Sequence, residues 1–387
     1  MTVDFYTIPQ QITLVITSLL SGSVSLLGSL TLIFIIWRDR HKKLKFVYHR
    51  ILFAMSILDA VISLNFAFSF LAVPIGMFWG AQGNTASCEA SGFLQLLYSA
   101  QGLYNFGLAV YYLMIIRYGK SEGFVSRFIE PYVHALSLCV PIGFGCWAIF
   151  LDVLNPSLLV GGWCTLQKYP PGCDEFGNGG CTRGEMADVI GRAVGIGIVL
   201  SSLVGIVTIM IMLICHVRGR HAAVTQYHTR PQLDRTVTQT VRQAMLYIWA
   251  SLIPCVVILP SGLVSSKEQI PRLILALLTK LILPLQGLFN LIIYVRPRYV
   301  ALKQRRGDSL SFLTMVKYII VGEPPPLQPD QRLDDWAPEL TVPGSFRQSA
   351  SSHSHDTLKE EPRPPTQDVQ DVSVDSEETV PESNQGY

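Results

Sequence analysis

Two ionisable residues sit where an unassisted charge is expensive. Lys280 lies some ten residues inside an apolar stretch of Leu and Ile, and Asp59 lies midway along another, in Ser56-Ile-Leu-Asp59. Ionisable groups at membrane depth pair with partners or serve function, because the surrounding hydrocarbon offers them nothing. Three chemistries suit Lys280: an ion pair with Asp59 or Glu89, a grip on an acidic ligand group, or a Schiff base with retinal, since desolvated lysines are nucleophilic. A lysine facing an aqueous vestibule is the plain alternative. Asp59 could share a water, a sodium ion or a proton with Asn290, or sit protonated and hydrogen-bonded in the packing.

Asn290 and Tyr294 are four residues apart in Pro284-Leu-Gln-Gly-Leu-Phe-Asn290-Leu-Ile-Ile-Tyr294, so a helix carries both on one face. The sequence that follows, Arg296-Pro297-Arg298, is expected to stop that helix at an inner membrane surface. Trp249, Pro254 and Pro260 share a further apolar stretch, and an interior proline makes it a candidate moving part. With Asp59, Asn290 and Tyr294, Trp249 and Pro254 form the expected intramembrane polar switch. Arg117, Lys120 and Arg127 cluster just beyond a third stretch, either as headgroup anchors or as contacts for a cytoplasmic partner.

These residues must be held by membrane helices. The chain has 387 residues, 49% hydrophobic and only 15% charged, against about 25% charged in soluble domains. Seven segments reach the roughly 20 apolar residues a spanning helix needs: about 12–36, 47–73, 89–116, 131–154, 188–215, 243–263 and 271–295. An all-α, seven-helix bundle is predicted over 12–297, preceded by a short outer tail, 1–11. Lys and Arg concentrate in 38–46, 117–130, 216–242 and 296–306, which places the N-terminus outside and the C-terminus in the cytoplasm. No cleavable signal peptide is expected at the N-terminus.

The outer side then carries Cys88, Cys164, Cys173 and Cys181, where oxidation permits disulfides. The favoured pairing ties Cys88 to Cys164 and closes a small ring with Cys173–Cys181; free thiols are the alternative. The loop 155–187 is long enough to fold over the bundle as a lid. A juxtamembrane region, 298–322, is predicted to hold a short basic helix and, over 310–321, an interfacial one. From 323 to 387 there are fourteen Asp and Glu against four Lys and Arg, the composition of a disordered tail. Walker, His-Glu-X-X-His and Cys-X-X-Cys motifs are absent, so neither catalysis nor a cofactor or metal is expected, and no nucleic-acid partner.

Cys88-Glu-Ala-Ser-Gly-Phe93 through Tyr104-Asn105 to Ile116-Arg117-Tyr118, then Trp163-Cys164, then Leu285-Gln286-Gly287 to Tyr294 resemble the G-protein-coupled receptor superfamily. They look most like its slime-mould cyclic AMP receptor type. The resemblance covers about 1–306. It implies a plasma-membrane receptor that binds a small molecule between the outer halves of its helices and engages a heterotrimeric G protein. Lys280, Glu89 and Trp163 are then the ligand-contact candidates, and Arg117, Lys120 and Arg127 the G-protein contacts. Membrane lipid, and kinase- or arrestin-like proteins at the tail, complete the expected partners. Against rhodopsin-like receptors, Leu291 stands where a proline would, Ile116 where an acid would precede the arginine, and Trp249 is five residues before Pro254. A retinal photoreceptor or pump using Lys280 is the alternative reading. A seven-helix transporter is another, although no pair of Gly/Pro-broken helices recurs in matching positions.

Overall fold

The computed structural model describes residues 6–157, 161–170, 173, 180–227, 242, 245–247, 249–250, 252–253, 269–306 and 311–321. Most of the sixth segment, Pro254 and Pro260 included, and the whole tail from 322 lie outside the described residues. What is described is overwhelmingly helical. Among the described residues, five helices are long and apolar enough to cross a membrane: Ile8–Arg38, Val47–Ala72, Glu122–Phe150, Ala187–Gly219 and Ile270–Val300.

The third segment is helical but broken. Thr85–Leu96 begins at Asn84, whose side chain accepts from Ser87 N (2.9 Å) while Ser87 Oγ accepts from Asn84 N (2.8 Å), a reciprocal cap. The helix tightens at Leu97 and Tyr98, resumes over Ser99–Tyr112, and widens into a π turn at Leu113–Arg117. The fifth segment also contains a π stretch, Ala193–Leu200, between Ala187–Arg192 and Ser201–Tyr227. In the seventh, a 3-10 turn at Leu283–Leu285 separates Gln269–Ile282 from Gln286–Arg306.

That last helix corrects the expected stop at Arg296-Pro297-Arg298. It runs through Pro297 to Arg306, because a proline removes one N–H without obliging the flanking residues to leave the helix. The separate basic helix predicted after Pro297 is thus its continuation. Phe312–Val321 is helical as expected, and the carbonyl of Ile320 accepts a hydrogen bond from Arg38.

The first helix is the seam of the bundle. A Cβ on Gly287 would lie 1.9 Å from Ser29 Oγ and 2.8 Å from the Ser25 carbonyl. Only a bare backbone fits there, and the Gly287 N–H donates to Ser25 Oγ at 3.0 Å. Small residues that let backbones approach are what holds helices together when lipid replaces water. The inner half of the core gathers Leu32, Ile36, Leu52, Tyr48, Tyr111, Tyr112, Tyr247 and Tyr294. Leu20, Leu27 and Phe34 of the first helix point outward, the apolar exterior a spanning helix requires.

On the side expected to be outer, β1 (Leu154–Ser157) and β2 (Trp163–Leu166) form an antiparallel hairpin, with Ser157 opposite Trp163. Cys164 is disulfide-bonded to Cys88, and Cys173 to Cys181, the pairing favoured from sequence. Gly161, at φ +76°, presses on the bundle: a Cβ there would sit 2.8 Å from Lys280 Cε.

Candidate functional site

A line of buried polar groups runs along the seventh segment, three of them at four-residue spacing. Gln286, Asn290 and Tyr294 share one helix face, and all are buried. Asn290 Nδ2 donates to Asp59 Oδ2 at 2.7 Å, and Gln286 Nε2 reaches Asn290 Oδ1 at 3.5 Å. Asp59 is buried on the second helix, so the pair joins two helices through one charge-competent hydrogen bond. Around it, Ser63 Oγ donates to Ser25 Oγ at 3.0 Å, and Ser21 Oγ donates to the Lys280 carbonyl at 2.7 Å.

Lys280 is the outer end of that line and is fully buried. It meets neither Asp59 nor Glu89. Asp59 is engaged by Asn290, and Glu89 by Arg183, which also binds Asp152 at 2.6 Å. The Lys280 ammonium instead sits 4.3 Å over the Trp163 ring and has no hydrogen-bond partner among the described residues. Trp163 packs on Phe66 at 4.8 Å between centroids, and its Nε1–H is likewise unpartnered among the described residues. Of the three ligand-contact candidates, Lys280 and Trp163 are brought together beneath the hairpin. Glu89 is not; it belongs to the lid clamp, where its carboxylate and then that of Asp152 hold the Arg183 guanidinium above its already high value.

At the inner end Tyr294 is fully buried, edge-on to His49 at 6.0 Å, with Arg298 5.5 Å and Lys43 6.0 Å from its ring. Burial, then the nearby Arg298 charge, lowers Lys43 to about 8, although it donates to Asp39 (2.7 Å) and to the Ile35 carbonyl (2.6 Å). Burial acts to raise the Asp39 carboxyl, but hydrogen bonds from Lys43 and Arg38 outweigh it and leave it below the usual carboxylate range.

Sequence reasoning missed the tyrosine knot beside this end. Tyr48 OH and Tyr247 OH are 3.0 Å apart and tie the second segment to the sixth, with Tyr112 6.1 Å from Tyr48 ring to ring. Tyr111 OH donates to Glu122 at 2.5 Å, and Arg50 makes two 2.5 Å bonds to Glu130. The Arg50 bonds tie the 117–130 region to the second helix, and the Tyr111 bond ties it to the third segment. The signal was present, since Tyr48, Tyr111 and Tyr112 are polar-tipped residues at inner ends, but nothing in the sequence pairs them.

Trp249 is not brought to the Asp59–Asn290 pair: it is 60% exposed. Its helical position points the indole outward, whereas Tyr247 and Ala250 take the buried face. Pro254 lies outside the described residues. Arg117, Lys120 and Arg127 are exposed, each over the ring of its neighbour Tyr118, Phe124 or Phe128 at 5.8, 5.0 and 5.6 Å. Among the described residues no cluster of His, Cys, Asp and Glu could hold a metal ion. Compared with known proteins, the sequence matches no family model and no curated protein.

Proposed function

We propose that the chain is a seven-helix receptor of the G-protein-coupled type, set in the plasma membrane with its N-terminus outside. It binds a small molecule among the outer halves of its helices and activates a heterotrimeric G protein on the inner side. The observation that supports this reading best is the buried polar line from Lys280 beneath the disulfide-pinned hairpin, through Asp59–Asn290, to Tyr294 beside the Tyr48–Tyr247 contact. A packed bundle is bistable more readily than it is deformable, so a ligand that shifts the outer end can be felt at the inner one. The exposed Arg117, Lys120 and Arg127 then offer cationic contacts to the G protein, and membrane lipid surrounds the bundle. Guanine-nucleotide exchange on heterotrimers, screened against a small-molecule library with the protein in lipid discs, tests the reading; no exchange with any heterotrimer of the source organism sinks it.

One observation favours a second reading. The Lys280 amine is buried with no hydrogen-bond partner among the described residues, which is how an amine that forms a Schiff base is kept reactive. A visible absorbance band on adding retinal, lost in Lys280→Ala, would make this a photoreceptor or pump.

A further inference from the structure

The stretch between the third and fourth segments sorts its charges by side. Residues 117–132 contain two acids, Glu122 and Glu130, and both turn inward. Glu122 accepts from the Tyr111 hydroxyl at 2.5 Å and from the Val47 N–H at 3.2 Å. Glu130 accepts two 2.5 Å bonds from the Arg50 guanidinium and one from Ser126 Oγ at 3.0 Å. The cations of the same stretch, Arg117, Lys120 and Arg127, are exposed. Its outward face is therefore cationic, with its own carboxylates engaged elsewhere.

That face is also aromatic. Ser121 Oγ accepts the Phe124 N–H at 3.3 Å and starts the helix Glu122–Phe128. Phe124, Phe128, Tyr132 and Leu136 recur every fourth residue and are 37%, 53%, 67% and 57% exposed. The stripe thus continues from the short helix onto the exposed flank of Glu130–Phe150. That longer helix has 21 residues, about 31 Å at 1.5 Å per residue, which matches about 30 Å of hydrocarbon. The turns before it, 122–128, then fall at headgroup depth, where aromatic rings and long cationic side chains gather. Lys120 lies 5.0 Å over Phe124 and Arg127 5.6 Å over Phe128, an arrangement that rests the stem on the ring and leaves the charge free to reach a headgroup.

We infer that this face is a binding surface for anionic phospholipid of the inner leaflet. Phe124, Phe128 and Tyr132 lie against the upper acyl chain, and Arg117, Lys120 and Arg127 take the headgroup. Continuity of the ring stripe with the flank of a spanning helix favours a lipid over a soluble anion. The inference rests on the membrane placement in the proposed function and not on G-protein coupling. Because the same cations are the proposed G-protein contacts, bound lipid and G protein compete for them.

The test uses the full chain, without G protein, in discs of phosphatidylcholine containing some phosphatidylserine. One of the two lipids at a time carries a photoactivatable diazirine near the top of its acyl chain, and labelled peptides are read by mass spectrometry. Per mole of labelled lipid, phosphatidylserine should label 124–136 at least about fivefold more than phosphatidylcholine, the enrichment that a single surface cation gives. Arg117→Gln, Lys120→Gln and Arg127→Gln together should bring the ratio to about one. Salt at about 1 M should do the same to the unmodified chain, because it cuts the screening length to about 3 Å; this arm decides if the variant fails to fold. Leu20, Leu27 and Phe34 of the first helix point outward, so they report insertion and should be labelled equally by both lipids. Equal labelling of 124–136 by the two lipids would overturn the inference, as would no labelling there while the first helix is labelled. No labelling of either region would overturn the membrane placement and the inference with it. The expected labelling in a chain that drives no nucleotide exchange would sink the receptor reading and leave this inference standing.

Discussion

Replacing Lys280 by Met should make the protein more stable. The side chain is fully buried, and among the described residues its ammonium has no hydrogen-bond partner and only the Trp163 ring, at 4.3 Å, in compensation. An unmatched buried polar group costs about 1–3 kcal/mol and a charged one more, while a desolvated cation over an aromatic ring returns up to about 2 kcal/mol. Met has nearly the same length, and its sulfur recovers about 0.3–1.5 kcal/mol against the same indole. The net expectation is a gain of about 1 kcal/mol, or a Tm higher by about 2–4 °C. Lys280→Ala is the control, because it removes the amine but opens a void; large-to-small core changes cost about 2–5 kcal/mol, so its Tm should fall. Thermal unfolding of the three proteins in identical lipid discs, without added ligand, gives the answer. A Tm for Lys280→Met as low as that for Lys280→Ala would show that the ammonium has a partner, and would refute the reasoning.

Three further outcomes follow from the same geometry. Asp59→Leu strands the Asn290 amide and should cost about 1–3 kcal/mol, whereas Asp59→Asn keeps a hydrogen-bond partner and should cost less than about 1 kcal/mol; paired thermal unfolding checks the ratio. Tyr48→Phe loses the 3.0 Å contact with Tyr247 and should destabilise by about 0.5–1.5 kcal/mol, with faster hydrogen exchange in the sixth segment near 245–250. Lys43 is lowered to about 8 from 10.5 in the folded chain. Between about pH 8 and 10.5 the unfolded chain therefore binds the extra proton, and this group makes stability rise with pH. Below about pH 8 both states are protonated and the full cost is present. Tm measured from pH 7.5 to 10 should show a Lys43-dependent rise that Lys43→Met lacks.

The parts of the site legible in the sequence are those that break a pattern. Asp59, Asn290 and Tyr294 stood out because each is polar within an apolar run, and the four-residue spacing put the last two on one face. The disulfides were legible because orientation from Lys and Arg placed four cysteines on one side. Lys280 stood out equally, but its surroundings did not: which acids lie within reach is settled by helix packing, and here Arg183 takes Glu89 while Asn290 takes Asp59. The turn at Leu97–Tyr98 leaves no mark in the sequence because neither residue is a helix breaker. Pro297 misled in the opposite direction, since a proline weakens a helix without ending it. Trp249 was grouped with the switch by type alone, and its outward direction depends on the rotation of a helix that local composition does not fix.

In the receptor proposed above, inner contacts restrain the bundle until its outer half is occupied. Its most direct test is guanine-nucleotide exchange by heterotrimers of the source organism, with the purified chain in lipid discs and no added ligand. Tyr48→Phe should accelerate exchange several-fold over the unmodified protein, and adding Arg117→Ala, Lys120→Ala and Arg127→Ala to that variant should abolish the gain. Exchange at the heterotrimer's own basal rate with both the unmodified chain and Tyr48→Phe, across every heterotrimer tried, would contradict the account.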